Sequence, residues 1–243
     1  MQITTDDDCT GFDETHPWAK QFKVVSYEDG FFSLIPHDFF QNWLGEESES
    51  GMFYIGKASG FGVGSIVKYD SGVQNLRVGR FVSGGLRVKL LLNGQHEMRT
   101  ISTAMFSMYG GGLDSFIPQY ADSIIKNDVW IGDEVMMLGG GIIENGCVIG
   151  ARSLLPPNFR SEPYGIYAGS PAKLIRFRFS EKIREALLDL AWWDTPDLFA
   201  WLQETKDCYL TDLTIDEGKS LAMLAKLKEK RNRWIREREK KPI

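Results

Sequence analysis

Cysteine is scarce in this chain of 243 residues, which carries three, Cys9, Cys147 and Cys208. An odd number of thiols, widely spaced and without a CxxC pair, excludes a disulfide framework and reads as reduced cysteine. Histidine is equally scarce, with His16, His37 and His96 the three present. No run of 18 apolar residues occurs, so no membrane-crossing helix is expected. The first eight residues include three aspartates where a signal peptide needs positive charge, and the expected location is the cytoplasm. Basic charge is in deficit overall. Lys and Arg number 28 against 33 Asp and Glu, for a net charge of -5 and a pI near 5.4. That balance argues against nucleic acid as a partner, since phosphate recognition rests on clustered cations. The deficit is uneven, because residues 226–241 hold nine basic and three acidic side chains.

What the chain does have is a repeat. Every sixth residue from 125 to 155 is large and apolar: Ile125, Ile131, Met137, Ile143, Ile149 and Leu155. Four positions after each of the first five stand Val129, Val135, Gly141, Cys147 and Ser153, mostly small. A period of six matches neither the 3.6 of a helix nor the 2 of a plain strand. It suits very short strands turned at sharp corners, with one inward residue on each flat face. Asn127-Asp128, Gly132-Asp133, Gly139 to Gly141, Glu144-Asn145-Gly146 and Gly150 supply the bends. Ile55, Phe61, Val67 and Val73 keep the same spacing, and the period restarts at Val78 after a slip. At three strands per turn, about four to five turns are encoded.

Residues 94–123 lose the period and are rich in Met, Ser, Gly and aromatic residues, which marks an ordered, site-building loop. Beyond Pro156-Pro157, helical spacing takes over. Ser180 is placed to cap a helix containing Ile183, Leu187, Leu188, Leu190 and Ala191. Thr195, as N-cap ahead of Pro196, starts a second, and a third runs from about Asp216 to Arg238 with Leu221, Leu224 and Leu227 inward. Residues 1–52 carry no repeat. Gln21 to Ser26 and Gly30 to Ile35 read as strands, Pro36 to Leu44 as a short helix, and the segment as a cap on one open end of the stack. The resulting division is 1–52, 53–178 and 179–243.

Four motifs in order carry a family resemblance: Asn93-Gly-Gln-His96, Val129-Trp-Ile-Gly-Asp-Glu-Val, Ala168-Gly-Ser-Pro-Ala-Lys-Leu-Ile-Arg, and Trp192-Trp193-Asp-Thr-Pro196. Together they resemble the hexapeptide-repeat acetyltransferases, and most of all the xenobiotic branch that acetylates streptogramins or chloramphenicol. The loop run Ser102-Thr-Ala-Met-Phe106-Ser-Met-Tyr109 is similar as well. The resemblance implies a left-handed parallel β-helix, a homotrimer, and acetyl-CoA bound in a groove between subunits without a metal.

Acyl transfer to a hydroxyl needs a base for the acceptor proton, donors for the oxyanion and a groove that orients both substrates. His96, where the repeat gives way to the loop, matches the family's catalytic position and has suitable chemistry for the base. Glu97 beside it is read as solvent-exposed. By resemblance, CoA contacts fall at Asp133, Ala151, Ser153, Gly169 and Ser170, with Lys173 and Arg176 on its phosphates. Many relatives have Thr-Lys where Pro156-Pro157 stands here, which leaves Arg152 or Arg160 to replace that cation. The acceptor pocket is expected to draw on Tyr69, Asn93, Phe106, Met108 and Tyr109. Trp130 reads as a packing residue at the corner rather than a ligand, although the resemblance places this Trp near the active site, and Cys147 reads as a buried, inert thiol. A sugar-type hydroxyl or amine is the expected acceptor, with an antibiotic as the alternative. A zinc hydrase on the same scaffold is disfavoured, because only His96 lies in the repeat region. A silent assembly module is the non-enzymatic alternative. The basic C-terminal helix suggests a weak contact with an anionic membrane surface.

Overall fold

The computed structural model describes residues 2–5, 15–28, 31–42, 51–69, 74–93, 96–104, 106 and 122–239. Cys9, Val73, Met108 and Tyr109 lie outside them. The N-terminal strands are β1 (Gln2–Thr5), β2 (Phe22–Glu28), β3 (Phe31–Pro36) and β4 (Phe40–Asn42). Four turns of three strands follow. The first holds β5 (Met52–Ile55), β6 (Gly60–Phe61) and β7 (Ile66–Tyr69), and the second β8 (Leu76–Val78), β9 (Ser83–Gly84) and β10 (Lys89–Leu91). The third holds β11 (Ser123–Ile125), β12 (Trp130–Ile131) and β13 (Met136–Leu138), and the fourth β14 (Ile142–Ile143), β15 (Val148–Ile149) and β16 (Leu154–Leu155). Then come β17 (Gly165–Gly169) and β18 (Ala172–Phe177), followed by α1 (Glu181–Leu190), a 3-10 turn (Trp192–Asp194), α2 (Leu198–Tyr209) and α3 (Glu217–Glu239).

Successive strands fall on three different sheets. Face A orders β1-β5-β8-β11-β14, face C orders β4-β7-β10-β13-β16, and face B runs β2-β3-β6-β9-β12-β15-β17-β18. All pairings between turns are parallel, so the chain winds as a three-sided coil. Its three edges are AB, BC and CA, in the order the chain meets them.

Register explains the repeat. Ile55, Val78, Ile125 and Ile143 stack in one column, and Val67, Leu90, Met137 and Leu155 in another. All are essentially buried. The remaining column reads Phe61, Gly84, Ile131, Ile149 and Tyr167. Its one gap has a steric cause: a Cβ on Gly84 would sit 2.3 Å from the Phe61 ring, which fills the space of both positions. The second small set, Val129, Val135, Cys147 and Ser153, is also inside.

Most corners are held in the left-handed region by residues other than glycine, with Gly146 and Gly64 taking one corner each along edges AB and BC. Ala58, Phe81, Asp128 and Tyr164 have φ of 55 to 60° along edge AB, as do Arg87, Glu134 and Arg152 along edge BC. Such backbone costs about 1 kcal/mol per residue. It persists because each corner is bonded to the next: Asn127 Oδ1 accepts from Arg80 N at 2.8 Å, and Asn145 Oδ1 from Asn127 N at 2.9 Å. Buried serines repeat the device, with Ser59 Oγ donating to Gly79 O at 2.7 Å while accepting from Val82 N at 3.0 Å.

The ends differ from the sequence reading. Pro36 to Leu44 is not a helix: through residue 42 it is the end of β3, a turn and β4, because Phe39 and Phe40 pack on Phe53 in the core. Although residues 1–52 lack the period, β1, β3 and β4 extend all three faces by a further turn. The second helix begins at Leu198 with Asp197 as N-cap, since Thr195 Oγ1 donates to Trp192 O at 2.8 Å instead of capping forward. Ser180 occupies the N-cap of α1, but its hydroxyl reaches Glu217 of α3.

The helices form a second core around Tyr164, Leu187, Trp201 and Leu224 and dock on edge AB. Arg80 reaches Asp194 at 2.7 Å, and the Phe81 ring lies 4.7 Å from that of Trp192. Much of the basic charge of α3 is used internally. Lys228 pairs with Asp189, Lys230 with Glu204 and Arg238 with Asp197, while Arg231 Nε donates to Thr195 Oγ1 at 2.7 Å. No helix among the described residues is long and apolar enough to cross a membrane.

Ile131→Ala, in the middle of its column, is expected to lower the unfolding free energy by about 2–5 kcal/mol. Urea denaturation followed by circular dichroism measures it, and an unaltered midpoint would contradict the inward column.

Candidate functional site

The second turn leaves the coil after β10, at edge CA. His96 lies in that excursion, its ring exposed, with Nδ1 2.6 Å from the Thr103 carbonyl. A carbonyl only accepts, so Nδ1 carries the proton in this bond, and the neutral ring holds its lone pair on Nε2. Glu97 does not orient the ring. It forms a bidentate pair with Arg99 at 2.8 Å, which holds the carboxyl down at a pKa of about 2. The loop's return is fixed to the preceding turn by Asp122, whose oxygens accept from Asn75 N at 2.7 Å and Asn75 Nδ2 at 2.9 Å.

Other acceptor-side candidates cluster at the same edge. Asn93, three residues before His96, has a buried Oδ1 without a hydrogen-bond partner among the described residues. Tyr69, at the end of β7, is buried against Phe40, and burial pushes its phenol up. Phe106 is 42% exposed.

The cofactor candidates lie along edge BC, at the opposite ends of the face C strands. Asp133 is exposed, and its Oδ1 accepts from Leu86 N of the neighbouring turn at 2.8 Å. Ala151 is exposed directly beyond Gly132, where a Cβ would stand 2.6 Å from Ala151 N. Glycine is required there by close approach of the next turn, and the corner keeps a low profile. Ser153 lies inside, its hydroxyl donating to Gly150 O at 2.6 Å. Gly169, at φ 102°, and exposed Ser170 end β17 at this edge. Lys173, opposite Ala168, is exposed beside them, whereas Arg176 pairs with Ile166 further along β18.

Arg176 lines a groove of about 480 Å³ on face B with Trp130, Ser83, Val148 and Ile166. Trp130 is 60% exposed, so it is not the packing residue expected: strand alternation turns Ile131 inward and Trp130 out. Cys147 is fully buried and burial pushes its thiol up, which agrees with an inert role. Among the described residues no group of three metal-ligating side chains occurs.

Neither cation expected to replace the missing lysine stands alone. Arg160 Nη1 donates to Phe159 O at 2.9 Å and to Gly140 O. Arg152 pairs with Glu134 at 2.8 Å, and Arg87 reaches the same carboxylate at 2.6 Å. This Arg-Glu-Arg ladder escaped the sequence reading, although its members occupy equivalent corners of successive turns. The Thr103 carbonyl also escaped it, as a backbone atom in a loop leaves no signal in residue type.

No family model matches the chain. Among curated proteins, it is 40% identical over 126 residues to a probable macrolide acetyltransferase of Lysinibacillus sphaericus, covering 49% of this chain and 69% of that protein. It is 39% identical over 132 residues to a chloramphenicol acetyltransferase of Escherichia coli, covering 51% and 61% respectively. It is 33% identical over 155 residues to a chloramphenicol acetyltransferase of Agrobacterium fabrum, covering 59% and 73%. The chain belongs to the hexapeptide-repeat acetyltransferases, in the branch that holds these antibiotic-modifying relatives.

The two guanidiniums on Glu134 hold its carboxyl below the ordinary glutamate range. Its contribution to stability is therefore present above that range and is lost as pH falls through the lowered midpoint. Carboxyl NMR titration is expected to show this midpoint moving up toward the ordinary value in Arg87→Ala/Arg152→Ala.

Proposed function

We propose that the chain is an acetyl-CoA-dependent O-acetyltransferase in which His96 is the general base. The observation that carries this reading is the Nδ1 bond to Thr103 O, which orients the ring and leaves Nε2 as the basic atom. His96 accepts the proton of the acceptor hydroxyl as its oxygen attacks the thioester carbonyl, and returns it to the departing thiolate. The low corner at Gly132 and Ala151 suits close approach by a pantetheine arm. Exposed Lys173 and Arg176 are the cations for its phosphates, with Asp133, Gly169 and Ser170 along the path.

His96 and the cofactor residues occupy different edges of one coil. A complete site therefore needs edge CA of one subunit against edge BC of another, which supports a homotrimer of left-handed β-helices with shared sites. Asn93, Phe106 and Tyr69 stand on the acceptor side of this arrangement, and Met108 and Tyr109 belong to the same loop.

For the acceptor, the named relatives favour an antibiotic hydroxyl. A sugar-type acceptor is the second reading. It rests on the N-terminal strands and α3, which set this chain apart from the compact core of the family. The internal ion pairs of α3 weaken the case for a membrane-bound sugar substrate.

His96→Ala is expected to lower kcat/KM about 10²- to 10⁴-fold with an unchanged Tm, measured by thiol release from acetyl-CoA with chloramphenicol, a streptogramin and an oligosaccharide as acceptors. Unchanged turnover would remove His96 from the mechanism. Mixing His96→Ala subunits with Ala151→Trp subunits, each inactive alone, is expected to restore part of the activity after co-refolding. Absence of any recovery would contradict a site shared between subunits.

A further inference from the structure

Face B, on the side of the coil opposite edge CA, carries an open trough at its N-terminal end. Its volume of about 400 Å³ is that of a small-molecule pocket, and Trp18, Phe22 and Phe32 stand in its walls. The floor follows from register. Outward residues of face B stack as Leu34, Gly60, Ser83, Trp130, Val148 and Ile166. The two small ones, Gly60 and Ser83, are those that line the trough beside the aromatic wall.

The wall is braced although core packing does not account for it. Trp18 belongs to a 3-10 turn (Pro17–Lys20) that has no buried residue. Even so, His16 Nδ1 accepts from Trp18 N at 3.3 Å, and His37 Nε2 donates to Ala19 O at 3.2 Å. The indole is 49% exposed and meets the Phe32 ring nearly at a right angle, with centroids 5.3 Å apart. Two such rings over a floor without large side chains leave a corner that a third ring fills in the offset or edge-on contacts aromatic rings prefer.

The lining selects the ligand's chemistry. None of the described residues around the trough is charged, so an ion would lose its hydration there without a partner. A sugar needs several hydrogen bonds, and only two side-chain hydroxyls line the trough. Ser59 Oγ is already engaged with Gly79 O and Val82 N, which leaves that of exposed Ser83. A protein partner needs about 800 Å² on each side. Trp18 is the one apolar side chain in the lining that is exposed rather than partly or fully buried. We propose that this trough binds a neutral aromatic compound of one or two fused rings, held in the corner of Trp18 and Phe32 over Gly60 and Ser83. The site is separate from the two edges assigned to acetyl transfer.

The test uses the full chain and fluorine NMR line broadening, with fluoroindole as the aromatic probe and fluorodeoxyglucose as a sugar. Wild type is expected to bind fluoroindole with a Kd of ~1 mM or tighter, and the sugar not measurably. Trp18→Ala is expected to bind fluoroindole about tenfold more weakly, with native circular dichroism and an unchanged sedimentation coefficient. Ser83→Arg, which stands a long side chain on the floor, is expected to abolish binding, and it decides the matter if Trp18→Ala does not fold. No binding by wild type, wild-type affinity in either folded variant, or sugar binding as tight as that of fluoroindole would overturn the proposal. So would a smaller particle in Trp18→Ala, because a second copy of the chain would then be the occupant. Acetyl transfer is not the readout, so failure here leaves the role of His96 untouched.

Discussion

Everything in this molecule depends on one turn of the coil lying directly on the next. Parallel strands about 4.8 Å apart share their backbone hydrogen bonds, so each residue's space is bounded by its equivalents one turn above and below. This is why a glycine at 84 answers a phenylalanine at 61, and why Gly132 is held by Ala151 of the following turn. Extra residues cannot enter a strand without shifting every column beneath it. They enter at a corner, and both the slip after Tyr69 and the excursion after Leu92 leave from edge CA.

The three edges have consequently taken different work. Edge CA accepts insertions and carries His96. Edge BC is kept narrow by glycine and braced by the Arg87-Glu134-Arg152 ladder, and it carries the proposed cofactor residues. Edge AB anchors the helices through Arg80, Phe81 and Arg178. Edges CA and BC are separate in one subunit, which is why the site proposed above is one shared between subunits.

The coil was legible in sequence because its inward columns depend on residue size at fixed intervals, which a single chain displays. What depended on distant partners was not. Residues 36–44 read as a short helix in isolation, but the core beyond them draws Phe40 into a strand and buries Phe39 just before it. Trp130 looked like a packing residue because a large aromatic usually is one, and only the strand's alternation decides otherwise. The basic tail resembled a surface for anions until its partners, Asp189, Asp197 and Glu204, were brought opposite it by the turns between helices. His96 was visible from its motif, whereas the carbonyl that sets its tautomer was not.

Face B differs from the other two at both ends. Its outermost strands, β2 and β18, run antiparallel to their neighbours and fold back as hairpins. A stack of parallel turns is by construction a template that another copy could extend indefinitely. The two reversed strands act as bookends on this face, offering an incoming turn a hydrogen-bond spacing unlike that inside the stack.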